Sequence, residues 1–168
     1  MIKDSGNRTE FETGAVRDIQ EGKGRCDLLP LEVVAMIYSD HDDGISAEIL
    51  LAIDCFMKDG KVSHLLAAMD AFREQGYDSK ESMLLAVSKH FEEGAKKYGD
   101  RNWEKGIPTE RYIDSAIRHF LKHMRGDEDE PHERAFLWNL MACIWTCKHH
   151  PQLNCYPIKK EVDADGSE

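Results

Sequence analysis

Apolar residues return every three or four positions through most of the chain, the spacing of one helix face turned to a core. Pro30, favourable in a first helical turn, opens a helix carrying Val33, Val34 and Ile37. The polar run SDHDDG then reads as a turn, and from Ser46 the segment AEILLAIDCFMK resumes helical spacing until KDGK ends it. Leu65, Leu66, Met69 and Phe72 make the next stripe, closed by Gln75-Gly76. From near Ser79, Met83, Leu84, Val87, Phe91 and Ala95 share a face as far as Tyr98-Gly99. The loop GDRNWEKGIPTE leads into a helix from Pro108 or Thr109 to Met124, with Ile113, Ile117 and Phe120 inward. The turn RGDEDEP precedes a last helix from about Pro131 to Lys148. Residues 1–29 have no clean period and read as an ordered loop or arm. With no β-rich alternating run and no hairpin dipeptide, helix on helix is the remaining architecture. The pattern predicts an all-α fold, a bundle of about five to six helices with an irregular N-terminal arm. Residues 1–158 are expected to form one domain, and 159–168 a flexible acidic tail.

Length and composition narrow this picture. A chain of 168 residues, 41% hydrophobic and 32% charged, can bury one core. The net charge of −10 argues against a nucleic-acid polymer as partner, but leaves room for a small anion held by local basic residues. Nothing approaches the roughly 18 to 20 apolar residues that cross a bilayer, and the first residues lack a signal-peptide core. No membrane partner and a cytoplasmic location are expected. Five cysteines, an odd number, point to reduced thiols. Cys143, Cys147, His149, His150 and Cys155 could be drawn as a zinc site, but Cys143 and Cys147 lie in an apolar run and read as packing.

Three polar groups exceed what a plain bundle needs. In HFEEGAKK, Glu92 faces Lys96 and Glu93 faces Lys97 at i,i+4, which surface ion pairs also explain. Asp114, Arg118, His119 and His123 share one helix, where imidazoles could hold a metal, bond a phosphate or simply be solvated. Asp127 to Glu130 precede Pro131 and His132; acids favour a helix N-terminus, but four in a row exceed a cap. Asn139 is the strongly polar residue of AFLWNLMACIW and needs partners, either functional ones or an interhelical hydrogen bond. Together these make an acidic and imidazole-rich set beside Lys and Arg, a combination suited to hydrolysis at phosphorus.

The runs HFEEGAKKYGDRNWEKGIP and YIDSAIRHFLKHMRGDEDEPHERAFLWN, with GAVRDIQEGKGRCDLLP upstream, resemble the phage and prophage dATP/dGTP diphosphohydrolase family. That family groups with the MazG-like all-α nucleoside triphosphate pyrophosphohydrolases, and the resemblance covers about residues 11–30 and 83–147. It implies a metal-dependent hydrolase, using Mg²⁺ or Mn²⁺, that cleaves a purine deoxynucleoside triphosphate to the monophosphate and pyrophosphate. It also implies a bacterial or phage-infected cell. Glu92 and Glu93 match the start of the superfamily's EExxE pattern; Lys96 stands at its third acid, and the ExxD pattern is replaced by Asp129, His132 and Asn139. The implied metal ligands are Glu92, Glu93, Asp129 and His132, and the implied catalytic residues Glu92, Lys96 and His119. Lys23, Arg25, Asp27, Lys97, Arg101, Asn102, Trp103, Arg118 and Asn139 are the expected substrate contacts. Lys96 has two sensible places, along the triphosphate (the favoured one) or in an ion pair with Glu92. The rival to the enzyme is a non-catalytic nucleotide-binding protein on the same fold. A second rival, an HD-type phosphohydrolase, hangs on His41-Asp42 alone. Phe136, Trp138, Ile144 and Trp145 fall on different sides of one helix, which argues for a homo-oligomer, a dimer or tetramer.

Overall fold

Helix boundaries fall at the stop and start residues that the chain supplies, in a computed structural model describing residues 8–39 and 43–156. Six α-helices are present among them: α1 (Leu31–Ser39), α2 (Gly44–Asp59), α3 (Val62–Gly76), α4 (Lys80–Tyr98), α5 (Thr109–Arg125) and α6 (His132–His149). The Asp43 carboxylate accepts from the Ser46 N–H at 3.0 Å, and the Ser79 hydroxyl from the Ser82 N–H at 3.1 Å. Both satisfy N–H groups that a helix start leaves unpaired. Gly60 and Gly126 end α2 and α5 in the left-handed conformation, φ 71° and 80°, where a side chain would be strained. The all-α expectation holds. His41-Asp42 and the acidic tail lie outside the described residues.

α1 packs on α2 and α2 on α3, while α5 lies against α6; α3 and α4 in turn pack on α6. Ile49, Leu50, Ile53 and Phe56 of α2 share one core with Leu65 and Phe72 of α3 and Ile113, Ile117 and Phe120 of α5, all essentially sealed from water. Phe72, Phe120 and Phe136 form an aromatic knot, with centroids 4.8 Å apart for Phe72–Phe136 and 5.5 Å for Phe120–Phe136. Because α6 has helices on more than one side, Phe136 is buried and Trp138, Ile144 and Trp145 are largely covered within one chain. The argument for assembly drawn from that helix therefore falls away. Cys143 is buried and Cys147 partly so, as packing residues are.

The arm departs from the expected loop in one respect. β1 (Arg8–Glu10) and β2 (Val16–Asp18) pair antiparallel, with Thr9 opposite Arg17. Three residues are too few to show a period-two pattern, so the sequence hides them. Gly14, at φ 75°, allows the turn that brings the Phe11 N–H to the Ala15 carbonyl at 2.9 Å. The arm then crosses the open side of α4 and α5, held by polar contacts. Asn102 clamps Val16, its Oδ1 accepting from the backbone N–H at 3.1 Å and its Nδ2 donating to the carbonyl at 3.0 Å. Thr13 donates to the Gly106 carbonyl at 2.7 Å, and Arg118 donates to the carbonyls of Lys23 and Gly24, both at 3.1 Å.

Candidate active site

Between the arm, α4, α5 and α6 lies a cavity of about 180 Å³. Helix periodicity selects its walls. On α4, Phe91, Gly94, Ala95 and Tyr98 recur at three- and four-residue steps and line it; on α5, Arg111, Asp114, Ser115, Arg118 and His119 do the same. Trp138 and Asn139 come from α6, Trp103 from the short 3₁₀ turn Asn102–Lys105, and residues 15–20 and Lys23 from the arm.

Arg17 is the electrostatic centre of this cavity. Its Nη2 donates to Asn139 Oδ1, and the Asn139 amide in turn donates to the Ala135 carbonyl at 2.7 Å. The guanidinium carbon stands 5.3 Å from the Tyr112 ring centroid and 5.7 Å from that of Trp138. Nη1 is sealed from solvent and has no hydrogen-bond partner. Burial pulls the Arg17 pKa below its ordinary value, but an arginine starts so high that it stays charged. The cavity thus holds a cation whose partners, Asn139, Tyr112 and Trp138, are neutral. Lys23 is also depressed by burial.

Asp114, 1% exposed, anchors the arm rather than facing a ligand. It accepts from the Gln20 amide and the Cys26 N–H, both at 2.6 Å, and from Arg118. Burial opposes its ionisation, but Arg118 and the other donors outweigh that and keep its pKa below the usual carboxylate range.

His119, His132, Glu130 and Asp129 form a second cluster at the cavity's edge. The Nδ1 atoms of His119 and His132 are 2.9 Å apart, and Glu130 Oε1 lies 3.6 Å from the first and 3.7 Å from the second. His132 is 1% exposed, with its Nε2 2.8 Å from Asp129 Oδ1. Burial, reinforced by the neighbouring His132 and by Arg17, pushes the His119 pKa down to about 2, so this imidazole is neutral.

The sequence-derived candidates divide clearly. Lys23, Arg101, Asn102, Trp103, Arg118, His119 and Asn139 line the cavity. Asn102 is spent on Val16, and Trp103 meets Phe91 and Trp145 edge-on, at 5.4 and 5.1 Å between centroids. Arg25 and Asp27 pair with each other, Nε to Oδ1 2.7 Å, outside the cavity walls. Lys97 donates to Asp18 at 2.9 Å, behind the wall that Asp18 forms. Glu92 and Lys96 sit about a quarter-turn round α4 from Phe91 and Ala95, so they point away from the cavity. Their side chains are 64% and 71% exposed and ion-paired, the less favoured of the two places for Lys96. Glu93 lies 3.6 Å from Arg134. The four expected metal ligands are therefore not gathered: neither Glu92 nor Glu93 joins Asp129 and His132 in a group of donors close enough for one ion. No cysteine joins such a group among the described residues either.

Sequence reasoning passed over Arg17, Gln20 and Glu130. Arg17 stood in a segment noted for its charge, but nothing in the spacing distinguished it from Arg25. Glu130 was one acid in a run of four, and only the fold singles it out.

The fold and cavity define a class, helical proteins with a pocket of charged and aromatic side chains between a helical bundle and a polar arm. Residues 80–155 match the family model described as dATP/dGTP diphosphohydrolase, N-terminal. The resemblance read from the sequence is borne out over that segment, and the helical fold is consistent with the MazG-like superfamily. No curated protein and no solved structure matches the chain. No described helix is long and apolar enough to cross a membrane.

Proposed function

We propose that the protein hydrolyses a purine deoxynucleoside triphosphate, dGTP or dATP, to the monophosphate and pyrophosphate. The observation that carries the reading is Arg17, a guanidinium with a sealed, unpartnered N–H in a cavity bordered by aromatic rings. A buried donor of that kind is costly unless an acceptor completes it, and for a guanidinium an anion is the strongest acceptor. Lys23 adds positive charge on the same lining, Arg118 stands there beside its partner Asp114, and Tyr98, Trp103 and Trp138 offer ring surface to a purine. The likeness to the dATP/dGTP diphosphohydrolase model supports the substrate class.

In this reading Arg17 and Arg118 hold the phosphate chain, and Asn139 fixes the plane of the Arg17 guanidinium. Neutral His119 borders the phosphates as a hydrogen-bond partner or a ligand to a metal. A divalent ion, Mg²⁺ or Mn²⁺ in the superfamily, would offset charge developing on phosphate oxygens and acidify a water. The set Glu92, Glu93, Asp129 and His132 does not fit one such ion, so no step is assigned through it. Assembly into a dimer or tetramer belongs to the proposal as well, on the strength of exposed Val33, Met36 and Ile37 along α1.

The rival is a protein that binds the nucleotide without cleaving it, favoured by the Lys96–Glu92 pair that keeps Glu92 outside the cavity. Purified protein is incubated with dGTP or dATP and Mg²⁺ or Mn²⁺, and pyrophosphate and orthophosphate are measured separately. Pyrophosphate and monophosphate in equal amounts support the hydrolase. Tight dGTP binding without pyrophosphate under either metal establishes the binder instead.

A further inference from the structure

The geometry points to a metal site unlike the acidic one implied by the family: His119, Glu130 and His132 hold a divalent first-row transition ion, Mn²⁺, Co²⁺ or Zn²⁺, in preference to Mg²⁺. Its use in hydrolysis rests on the reading above; its occupation by metal does not.

Four observations converge on these residues. First, their donor atoms form one of the two groups of three His, Cys or acidic side chains near enough to share an ion among the described residues. Second, the spacing suits a metal. With metal–nitrogen bonds of about 2.1 Å, adjacent ligands stand about 3.0 Å apart at right angles and about 3.4 Å apart in a tetrahedron. The two Nδ1 atoms are already 2.9 Å apart, and Glu130 Oε1, at 3.6 and 3.7 Å, needs to close by only a few tenths of an ångström. Third, Asp129 lies on the far nitrogen of His132 at 2.8 Å. A carboxylate there accepts a hydrogen bond from the Nε2–H and so leaves the Nδ1 lone pair facing the cluster, as outer carboxylates do for metal-bound imidazoles. Fourth, no Lys or Arg pairs with Glu130 among the described residues, although its side chain is only 14% exposed. In the overlapping group of Asp127, Asp129 and His132, by contrast, Arg125 neutralises Asp127 and Lys122 lies 3.4 Å from Asp129.

Two imidazole nitrogens and one carboxylate favour transition ions, whereas Mg²⁺ prefers oxygen and retains its water. Three protein ligands leave coordination positions open, and His119 and Glu130 both line the cavity. Without metal, the short imidazole contact is closed by one proton, which would make the cluster a hydrogen-bonded chain and nothing more.

Titration of the chelator-treated full chain with Co²⁺, followed by visible absorption and calorimetry, separates these cases. One Co²⁺ per chain is expected, displaced by Zn²⁺ and not by a large excess of Mg²⁺. Glu130→Gln and His119→Ala, checked for folding by circular dichroism, should each weaken Co²⁺ by at least about 100-fold, the upper end of what outer-shell losses cost. Asp127→Asn should leave it unchanged. Absence of a Co²⁺ site, binding that survives Glu130→Gln, or loss on Asp127→Asn alone overturns the assignment. Pyrophosphate release with Mg²⁺ in a chain that shows no Co²⁺ site would sink the metal site and keep the hydrolase. Stoichiometric Co²⁺ without turnover would do the reverse.

Discussion

Replacing Arg17 with methionine tests whether its guanidinium serves the fold or a ligand, because the two roles predict opposite results. Methionine keeps much of the apolar stem and removes the charge. The fold then loses the charged hydrogen bond to Asn139, worth about 1.5–3 kcal/mol, and two ring contacts at about 0.5–1 kcal/mol each. Against this stand the unpartnered Nη1, costing about 1–3 kcal/mol, and the desolvation of a buried ion, an effective several kcal/mol. The sides nearly cancel, so the unfolding free energy in urea should change by no more than about 1 kcal/mol, or rise. Ligand binding has no such compensation: a charged hydrogen bond to phosphate lost outright weakens dGTP by about 10- to 150-fold. Tryptophan fluorescence during a dGTP titration reads that loss, since Trp103 and Trp138 border the cavity. A variant destabilised by more than about 3 kcal/mol that binds dGTP like the parent would refute the reasoning and make Arg17 a structural cation.

Two further outcomes follow from the surroundings of the cavity. Burial, with Arg134 and Arg17 adding positive charge, pushes the His90 pKa down to about 4 from an ordinary 6.5, so the unfolded chain binds this proton first. Its contribution is whole above pH 6.5 and is lost as pH falls towards 4, by about 1.4 kcal/mol per unit and about 3 kcal/mol in all; urea melts of the parent and His90→Gln should differ by that slope, and parallel curves would discount it. Asp114→Ala leaves Arg118 without its buried carboxylate and Gln20 and Cys26 without an acceptor, at a cost of about 3 kcal/mol. Limited proteolysis should then cut around residues 20–26 well before the helices, and an arm as resistant as the parent's would count against Asp114 as its anchor.

The helices were legible because each carries a long apolar stripe and a marked end; Ser79 acts as a start, and Gly60 and Gly126 as stops, where the chain itself suggests them. The cavity was legible in its helical walls, since Arg118, His119 and Asn139 share the periodic faces that meet there. The arm resisted. Three-residue strands have no readable period, and whether Arg17 or Arg25 enters the cavity depends on contacts with residues 86 and 122 positions away. The EExxE likeness does not fix the direction of each side chain: two neighbouring acids cannot both share the face that Phe91 and Ala95 turn inward, and Glu92 goes to Lys96.

One wall of the cavity is built from a segment that must wait for its partners. Val16 joins Asn102, Gln20 and Cys26 join Asp114, and Arg17 joins Asn139, at separations of 86, 94, 88 and 122 residues. At a synthesis rate of roughly 5–20 residues per second, the arm spends on the order of 5–25 s outside the ribosome before α5 and α6 exist to receive it. Its composition suits that delay, for residues 17–27 are rich in glycine and charge and offer little apolar surface for wrong associations. Loop closure over such distances comes late, so the helical bundle should fold as a receptive half-site and the binding cavity should mature as a separate, slower event.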